Sequence, residues 1–210
     1  MRAVALLGLL GACAGDKAAD TGTACVGGPA IATDIDETLT LSDGEYLGQL
    51  ADPTYDPAER PDASTLMQRY HERGWRVFYV TARGDELVLN DGRGAQEATE
   101  DWLDDHGFPR APDSVFLYPG TFVSGDDTVV YKAGVLADLG AAGWELGWAY
   151  GNAETDTQAW QQHGVPDDHI FLVGTLAGTM GVVGIEDEDA YTQHLADQDG
   201  SIETVSACPD

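Results

Sequence analysis

The feature that most constrains the fold is a regular alternation of short apolar segments with longer segments of helical spacing. The apolar segments are predicted strands: 30–35, 75–81, 114–120, 144–152 and 169–174. The segments between them, and one near the end, are predicted helices: 62–74, 94–107, 130–143, 155–164 and 187–198. Such alternation predicts an α/β fold, a Rossmann-like three-layer sandwich around a central, mainly parallel sheet.

Polar side chains stand where several of these predicted strands end. Asp34 and Asp36 come at the end of the first strand, Thr81 ends the second, and Asn152 ends the fourth. Parallel sheets bind ligands beyond the carboxyl ends of their strands. The fold therefore selects these positions as a candidate site before any chemistry is considered.

The chain is strongly acidic, with 37 acidic and 10 basic residues and a formal net charge of −27. Such a surface repels nucleic acid, so we expect no nucleic-acid partner. It also repels an anionic membrane unless another feature holds the protein there. We attribute most of these charges to a solubilising or salt-adapted surface.

The first residues combine a positive start at Arg2, an apolar run over 3–10, and the sequence Leu-Gly-Ala-Cys ending at Cys13. This pattern is typical of a secretory signal and resembles a bacterial lipobox, with a short buried helix as the alternative. We expect a lipoprotein signal peptide over 1–12, lipidation of Cys13, and a flexible tether over 13–28. The protein would then be an exported bacterial lipoprotein of the cell envelope, at the outer membrane or cell surface rather than the inner membrane.

Two further cysteines, Cys25 and Cys208, lie near the two ends of the expected mature protein. Oxidising compartments favour disulfides, and the termini of a domain are often close in space. We therefore predict a disulfide between these cysteines. The main domain is expected over 29–178, with a C-terminal extension over 179–210 packing on it.

The segment Asp34-Ile35-Asp36-Glu37-Thr38 is the first candidate for chemistry. A carboxylate such as Asp34 can attack phosphorus, and a second one such as Asp36 can protonate the leaving oxygen and then activate water. Mg²⁺ would offset the repulsion between these carboxylates and a phosphate. Taken alone, the pattern is equally consistent with a solvated acidic turn, because aspartate is abundant in this chain.

Four other residues favour phosphoryl transfer. Thr81 can bind a phosphate oxygen at its strand end. Lys132 is the single lysine of the predicted domain, and its ammonium would neutralise both a nucleophile and a phosphate. Asn152 and Asp156, four residues apart, can share one face of a helical turn and either can complete a metal shell. Individually, a turn residue, a surface lysine and a helix cap would explain them.

This ordered set resembles the haloacid dehalogenase (HAD) superfamily over about residues 29–174. Within that superfamily, the stretches 34–43, 77–83 and 149–173 are similar to the lipin-type phosphatidate phosphatase domain. The resemblance implies an Mg²⁺-dependent phosphomonoester hydrolase that forms an aspartyl-phosphate intermediate. Its implied substrate is phosphatidate or a related membrane-lipid phosphate.

The resemblance also implies a role for each site residue. Asp34 would be the nucleophile and Asp36 the general acid and base, while Thr81 and Lys132 would hold the phosphoryl group. Asp34, the Asp36 carbonyl, and either Asn152 or Asp156 would hold the metal. Thr38 and Arg83 complete the expected set as substrate contacts, with a neighbouring acid as an equal alternative partner for Arg83.

Glu37 departs from the lipin pattern, which usually has glycine at this position, and Asp-Glu-Thr-Leu also occurs in bacterial surface acid phosphatases of the superfamily. Residues 39–60 leave room for a small flap but for no large cap domain. Candidates for an apolar lip, with packing within the flap as the alternative, are Tyr46, Leu47, Leu50 and Tyr55. An open site suits a lipid headgroup. The alternatives are a broad-specificity surface acid phosphatase or nucleotidase, and a non-catalytic phosphatidate-binding module.

Overall fold

The computed structural model describes residues 27–186 and 190–206. Its strands are β1 (Gly28–Thr33), β2 (Arg76–Gly84), β3 (Val115–Tyr118), β4 (Trp144–Gly151), β5 (Ile170–Val173) and β6 (Val183–Ile185). Its α-helices are α1 (Gly44–Ala51), α2 (Ala63–Glu72), α3 (Ala95–Asp105), α4 (Asp126–Ala141), α5 (Glu154–His163) and α6 (Ala190–Gln198). The predicted lipidation at Cys13 and the predicted disulfide between Cys25 and Cys208 lie outside the described residues.

The six strands form one sheet in the order β3-β2-β1-β4-β5-β6, and every neighbouring pair is parallel. This confirms the predicted α/β fold with a parallel sheet between helical layers. The strand order changes direction at β1, which lies between β2 and β4. In sheets of this kind the crevice at such a switch point is where ligands bind.

Alternate side chains of the central strand supply two separate cores. Ile31 packs in a core beneath α2, α3 and α6, where Tyr70 and Trp102 are also buried. Ala30 and Ala32 point to the other face of the sheet, beneath α4 and α5. The two cores fix β1 between two helical layers, so the residues that follow it emerge at a defined place.

Two elements were not predicted from the sequence. Helix α1 lies inside the predicted flap of residues 39–60, and β6 adds a three-residue strand beyond residue 178. After β6, the chain returns across the α2 layer, where the Arg73 guanidinium donates hydrogen bonds to the carbonyl of Ile202 and to Asp199. Within the described residues, none of the helices combines the length and the apolar character that crossing a bilayer requires.

Candidate active site

An open cavity of ≈ 470 Å³ lies at the carboxyl ends of β1, β2 and β4. It brings together seven of the eight site residues predicted from the sequence, although they come from distant parts of the chain: Asp34, Asp36, Thr81, Arg83, Lys132, Asn152 and Asp156. The eighth, Thr38, is fully buried behind Asp34 and does not line the cavity. The side chain of Thr38 therefore supports Asp34 in this structure and has no surface open to a substrate.

Asp34 is held at the inner end of this cavity, directly after β1. Its backbone N–H donates to the carbonyl of Tyr150 on β4 (3.0 Å), and only 5% of the residue is exposed. Its carboxylate accepts from Lys132 Nζ (2.7 Å) and from the Thr38 hydroxyl (3.2 Å). Burial raises the pKa of Asp34 to about 7, with Lys132 opposing the shift and the charges of Asp156 and Asp36 adding to it.

Lys132 is carried by α4, and its ammonium lies between two carboxylates. Besides Asp34, Nζ donates to Asp156 Oδ1 (2.5 Å), and the residue is 2% exposed. Burial alone would lower the pKa of Lys132, but the charges of Asp156 and Asp34 outweigh it and raise the pKa above the ordinary lysine value. The site therefore contains a permanent buried cation beside the candidate nucleophile.

Asp156, in the first turn of α5, shapes the loop that follows β4. Its Oδ2 accepts hydrogen bonds from the backbone N–H groups of Asn152 (3.0 Å) and Ala153 (3.1 Å). A Cβ at Gly151 would lie 2.5 Å from Asp156 Cβ, so only glycine allows this close approach. Asp156 is fully buried with both oxygens engaged in the protein, whereas Asn152 is partly exposed at the cavity and its amide oxygen contacts the Thr38 hydroxyl (3.2 Å), so Asn152 is the better placed of the two predicted metal ligands.

Arg83 pairs in this structure with a neighbouring acid, one of the two partners expected from the sequence. Its guanidinium donates from Nε and Nη2 to the two Asp36 oxygens (2.9 and 2.8 Å) and from Nη1 to the Thr99 hydroxyl (3.0 Å). The ring of Tyr46, from α1, lies 4.2 Å from the guanidinium carbon. Bidentate pairs of this kind are strong and fix direction, so Arg83 orients Asp36 and links it to the flap.

Glu37 is a site residue that the sequence reasoning did not assign. It has φ +56°, a conformation that costs a non-glycine residue of order 1 kcal/mol or more, and the same position is usually glycine in lipin-like motifs. Its Oε2 accepts a hydrogen bond from Asn152 Nδ2 (3.0 Å). In the sequence, only the departure from the lipin pattern at this position singled out Glu37, and it did not indicate that Asn152 is its hydrogen-bond partner.

Apolar side chains form part of the cavity wall and its rim. Leu47 and Leu50 of α1 face Phe122 across the opening, and Leu47 and Phe122 are 64% and 76% exposed. Tyr55, which the sequence offered as a further member of an apolar lip, instead donates its hydroxyl to Glu45 (2.7 Å). The rim thus places exposed apolar groups beside a polar interior.

The donor set at the cavity fits a hard divalent cation. Among the residues that line it, acids outnumber basic side chains by five to two, so a phosphate would enter an already negative site. Among the described residues no three acidic, histidine or cysteine side chains group into a ready metal cage. The predicted set uses Asp34, the Asp36 carbonyl and either Asn152 or Asp156, and Mg²⁺ commonly keeps several waters beside so few protein ligands.

Comparison with known proteins gives the family. The model described as "PITM 1-3, LNS2 domain" matches residues 31–174, which include every element that contributes to the cavity. The chain belongs to the LNS2 domain family. LNS2 domains are HAD-like and related to lipid phosphatase domains, in agreement with the superfamily predicted from the sequence.

Two curated relatives of this LNS2 domain are larger proteins. Protein retinal degeneration B of Drosophila melanogaster is 26% identical over 171 residues, or 80% of this chain. Membrane-associated phosphatidylinositol transfer protein 3 of Homo sapiens is 24% identical over 155 residues, or 73% of this chain. The matched regions cover 12% and 14% of those proteins' own lengths, so the similarity concerns one domain of each.

Proposed function

We propose that this LNS2 domain is a lipin-like, Mg²⁺-dependent phosphomonoester hydrolase that uses an aspartyl-phosphate intermediate. The observation that carries the proposal is the placement of the Asp34 carboxylate, 2.7 Å from Lys132 Nζ and at the inner end of an open cavity. A second carboxylate, Asp36, lines the same cavity two residues further on. A nucleophile, a fixed cation and a group able to transfer protons are thereby brought to one place.

The reaction would proceed in two displacements at phosphorus. A carboxylate oxygen of Asp34 attacks the phosphorus, the bond to the ester oxygen breaks, and Asp36 protonates that leaving oxygen. Asp36 then takes a proton from water, which attacks the aspartyl-phosphate and releases inorganic phosphate and free Asp34. Lys132 and the Thr81 hydroxyl would stabilise the charge on the phosphoryl oxygens. Mg²⁺, held by Asp34, the Asp36 carbonyl and Asn152, would supply the remaining positive charge.

Arg83 determines when Asp36 can take part. Both Asp36 oxygens accept hydrogen bonds from Arg83, so Asp36 must give up at least one of them before it protonates a leaving group. The Thr81 hydroxyl lies 3.4 Å from Asp36 Oδ2 and provides a neighbouring polar contact. Entry of a phosphate, which competes for the guanidinium, is the event that would release Asp36, and in that state Arg83 would also contact the substrate.

Phosphatidate, or a related membrane-lipid phosphate, is the proposed substrate. The exposed side chains of Leu47 and Phe122 border the polar cavity, which suits a molecule whose phosphate adjoins apolar chains. The human relative is a membrane-associated phosphatidylinositol transfer protein by name, which is consistent with a membrane lipid as ligand. A lipid on Cys13 and export as a cell-envelope lipoprotein complete the proposal, because such an anchor would hold this acidic domain at a bilayer.

Phosphate release tests the proposal. Purified protein with Mg²⁺ should release phosphate from phosphatidate in mixed micelles, EDTA should stop it, and Asp34→Asn should reduce it by at least 10³-fold, because the nucleophile is lost. The control is Asp168→Asn, which neutralises an exposed acid outside the cavity and should leave turnover unchanged. Unchanged turnover in Asp34→Asn would refute the assignment. A panel of soluble phosphomonoesters, if hydrolysed as fast as phosphatidate, would favour the broad-specificity acid phosphatase or nucleotidase.

A non-catalytic lipid-phosphate-binding module is the second candidate. The bidentate contact of Arg83 with Asp36 favours it, since this contact keeps Asp36 from acting as a proton donor. Sedimentation with vesicles that contain phosphatidate, measured beside phosphate release, separates the two candidates. Binding that requires Lys132 but yields no phosphate would establish the binding module instead of the enzyme.

A further inference from the structure

The backbone of Glu37 is held in its left-handed conformation from both sides. Its N–H donates to the Thr40 hydroxyl (3.0 Å), and its carbonyl accepts from Nε of the buried Arg60 (3.0 Å). Strained backbone persists where surrounding contacts over-determine it, and such positions cluster at functional sites. The contacts at Glu37 therefore direct attention to what its side chain does.

That side chain determines which way the Asn152 amide faces. A carboxylate only accepts hydrogen bonds, so Glu37 Oε2 selects the amide nitrogen, Nδ2, at 3.0 Å. The amide oxygen then points the other way, where the Thr38 hydroxyl lies 3.2 Å from it and also 3.2 Å from Asp34 Oδ2. Thr38 has one hydroxyl hydrogen and donates it to one of these two oxygens at a time, so its hydroxyl lies between the Asn152 amide that Glu37 holds and the candidate nucleophile.

We propose that Glu37 is a positioning residue that presents the oxygen of the Asn152 amide, rather than its nitrogen, to a divalent cation at Asp34. The inference rests on the Mg²⁺ requirement in the proposed function. Without the Glu37 carboxylate the amide can turn over, because Thr38 is able to accept from Nδ2 as readily as it donates to Oδ1. A turned amide offers the cation a nitrogen that carries hydrogens and cannot ligate it.

A simpler account is that Glu37 attracts the cation only through its charge. Two substitutions separate the accounts, because length and charge change independently. Glu37→Asp keeps the charge but is one methylene too short to hold Nδ2, and aspartate tolerates a positive φ at least as well. Glu37→Gln removes the charge but keeps the length and an accepting oxygen. Asp43→Asn is the matched charge control, since Asp43 lines the same cavity and makes no contact with Asn152 in the described hydrogen bonds.

The experiment is titration calorimetry of Mg²⁺ into the full chain without substrate. Positioning predicts that Glu37→Asp weakens the affinity about tenfold or more, as losses of groups that orient metal ligands do, and that Glu37→Gln and Asp43→Asn each weaken it less than about threefold. It also predicts that Glu37→Asp has no further effect in an Asn152→Asp background, where no amide can turn over.

The opposite ranking, with Glu37→Gln weakened and Glu37→Asp near wild type, would overturn the inference and leave a purely electrostatic role. Absence of Mg²⁺ binding by the wild-type chain would overturn it too. The proposed function is judged separately by phosphate release. If the affinities follow the predicted ranking but no phosphate is released, the positioning role of Glu37 is supported and the catalytic assignment is removed. If phosphate is released but all variants bind Mg²⁺ equally well, the catalytic assignment is supported and the positioning role is removed.

Discussion

The two faces of the sheet bury polar side chains in different ways. On the α4/α5 face, Lys132 lies 2.7 Å from Asp34 and 2.5 Å from Asp156, all three buried. On the α2/α6 face, the hydroxyls of Tyr70 and Tyr150 are 2.9 Å apart, and the Tyr150 hydroxyl is 3.1 Å from His194 Nε2. The α4/α5 face thus buries a cluster of charged side chains, whereas the α2/α6 face buries a chain of hydrogen-bonding groups that can remain neutral.

Burial has opposite results in the two clusters because only one of them contains opposite charges. Burial raises the pKa of Tyr70 and lowers the pKa of His194 to about 4, so both stay neutral near pH 7. At the charge cluster, Lys132 is kept cationic by Asp156 and Asp34. Neutral hydrogen-bonded groups are inexpensive to bury, whereas buried charges are costly unless paired. The proposed function gives these charges a chemical role, and the substitutions below test whether they also contribute to stability.

Removal of the buried cation should give the largest effect on stability. Lys132→Met leaves Asp34 and Asp156 buried without a counter-charge, and breaking a buried pair in this way costs about 3–5 kcal/mol in free energy of unfolding. Urea denaturation at pH 7 in EDTA measures the loss. Methionine preserves the length and the apolar stem, so the loss reports the charge rather than a cavity.

Two further variants test whether the loss of stability in Lys132→Met comes from the uncompensated buried carboxylates. Asp156→Asn, added to Lys132→Met, should restore part of the lost stability, because one of the uncompensated carboxylates is gone. Arg93→Met removes a partly exposed arginine that pairs with the surface acids Asp91 and Asp101, and it should change stability little. Equal losses from Lys132→Met and Arg93→Met would show that the buried cluster has no special energetic status.

The sequence was sufficient for the scaffold because the central strands are uninterrupted apolar runs between helices with glycine stops. It was insufficient for β6, whose three residues, Val183–Ile185, are too few for a pattern to show. Helix α1 was missed for a different reason: its buried residues are Glu45, Tyr46 and Gln49, which lack the apolar spacing of a core helix.

For the candidate site, sequence reasoning found residue types but not their partners. The ends of parallel strands meet at one edge, so Asp34, Thr81 and Asn152 could be grouped in advance. The contact of Arg83 with Asp36 and that of Glu37 with Asn152 join side chains 47 and 115 residues apart. Such pairings depend on how loops fold over the sheet, and no local pattern records them.

Acid should destabilise the protein through the cluster of Tyr70, Tyr150 and His194, by less than the substitution Lys132→Met does. The folded-state pKa of His194 is about 4, below the ordinary 6.5, so its contribution is fully present above pH 6.5 and is lost as pH falls through 4. Between pH 7 and pH 4.5 this amounts to about 2–3 kcal/mol, since one pKa unit corresponds to about 1.4 kcal/mol. Urea denaturation of wild type and His194→Gln at both pH values isolates this part, because glutamine does not titrate.

The surroundings of His194 explain why its pKa is lowered. Its ring contacts the rings of Tyr150, Phe171 and Tyr191, and among the described residues Asp197 is the charge that raises its pKa. His163→Gln is the control, because the pKa of His163 is also lowered by burial but the residue is more exposed. An acid-induced loss of the same size in wild type and His194→Gln would place the pH sensitivity elsewhere.

Neutralising Asp34, the candidate nucleophile, should produce the smallest effect when measured at pH 5, and one of opposite sign. The folded-state pKa of Asp34 is about 7, above its ordinary 3.8, so its contribution is present below pH 3.8 and lost as pH rises through 7. Asp34→Asn resembles the protonated carboxyl and should stabilise the metal-free protein by about 1–2 kcal/mol at pH 5, where the unfolded wild-type carboxyl is already ionised, and it should still be the more stable protein at pH 8. Below pH 3.8, where Asp34 of the wild type is protonated in both the folded and the unfolded state, the two proteins should unfold at nearly the same urea concentration.

The sign of that difference is the sharpest test of the contrast between the two faces. A residue selected for stability loses stability when it is replaced, as His194→Gln should near neutral pH. A catalytic residue held in an unfavourable ionisation state gains stability when it is replaced, and loses the reaction. If Asp34→Asn destabilises the protein at pH 8, the Lys132 ion pair more than compensates the burial of Asp34, and the charge cluster is a structural element like its counterpart across the sheet.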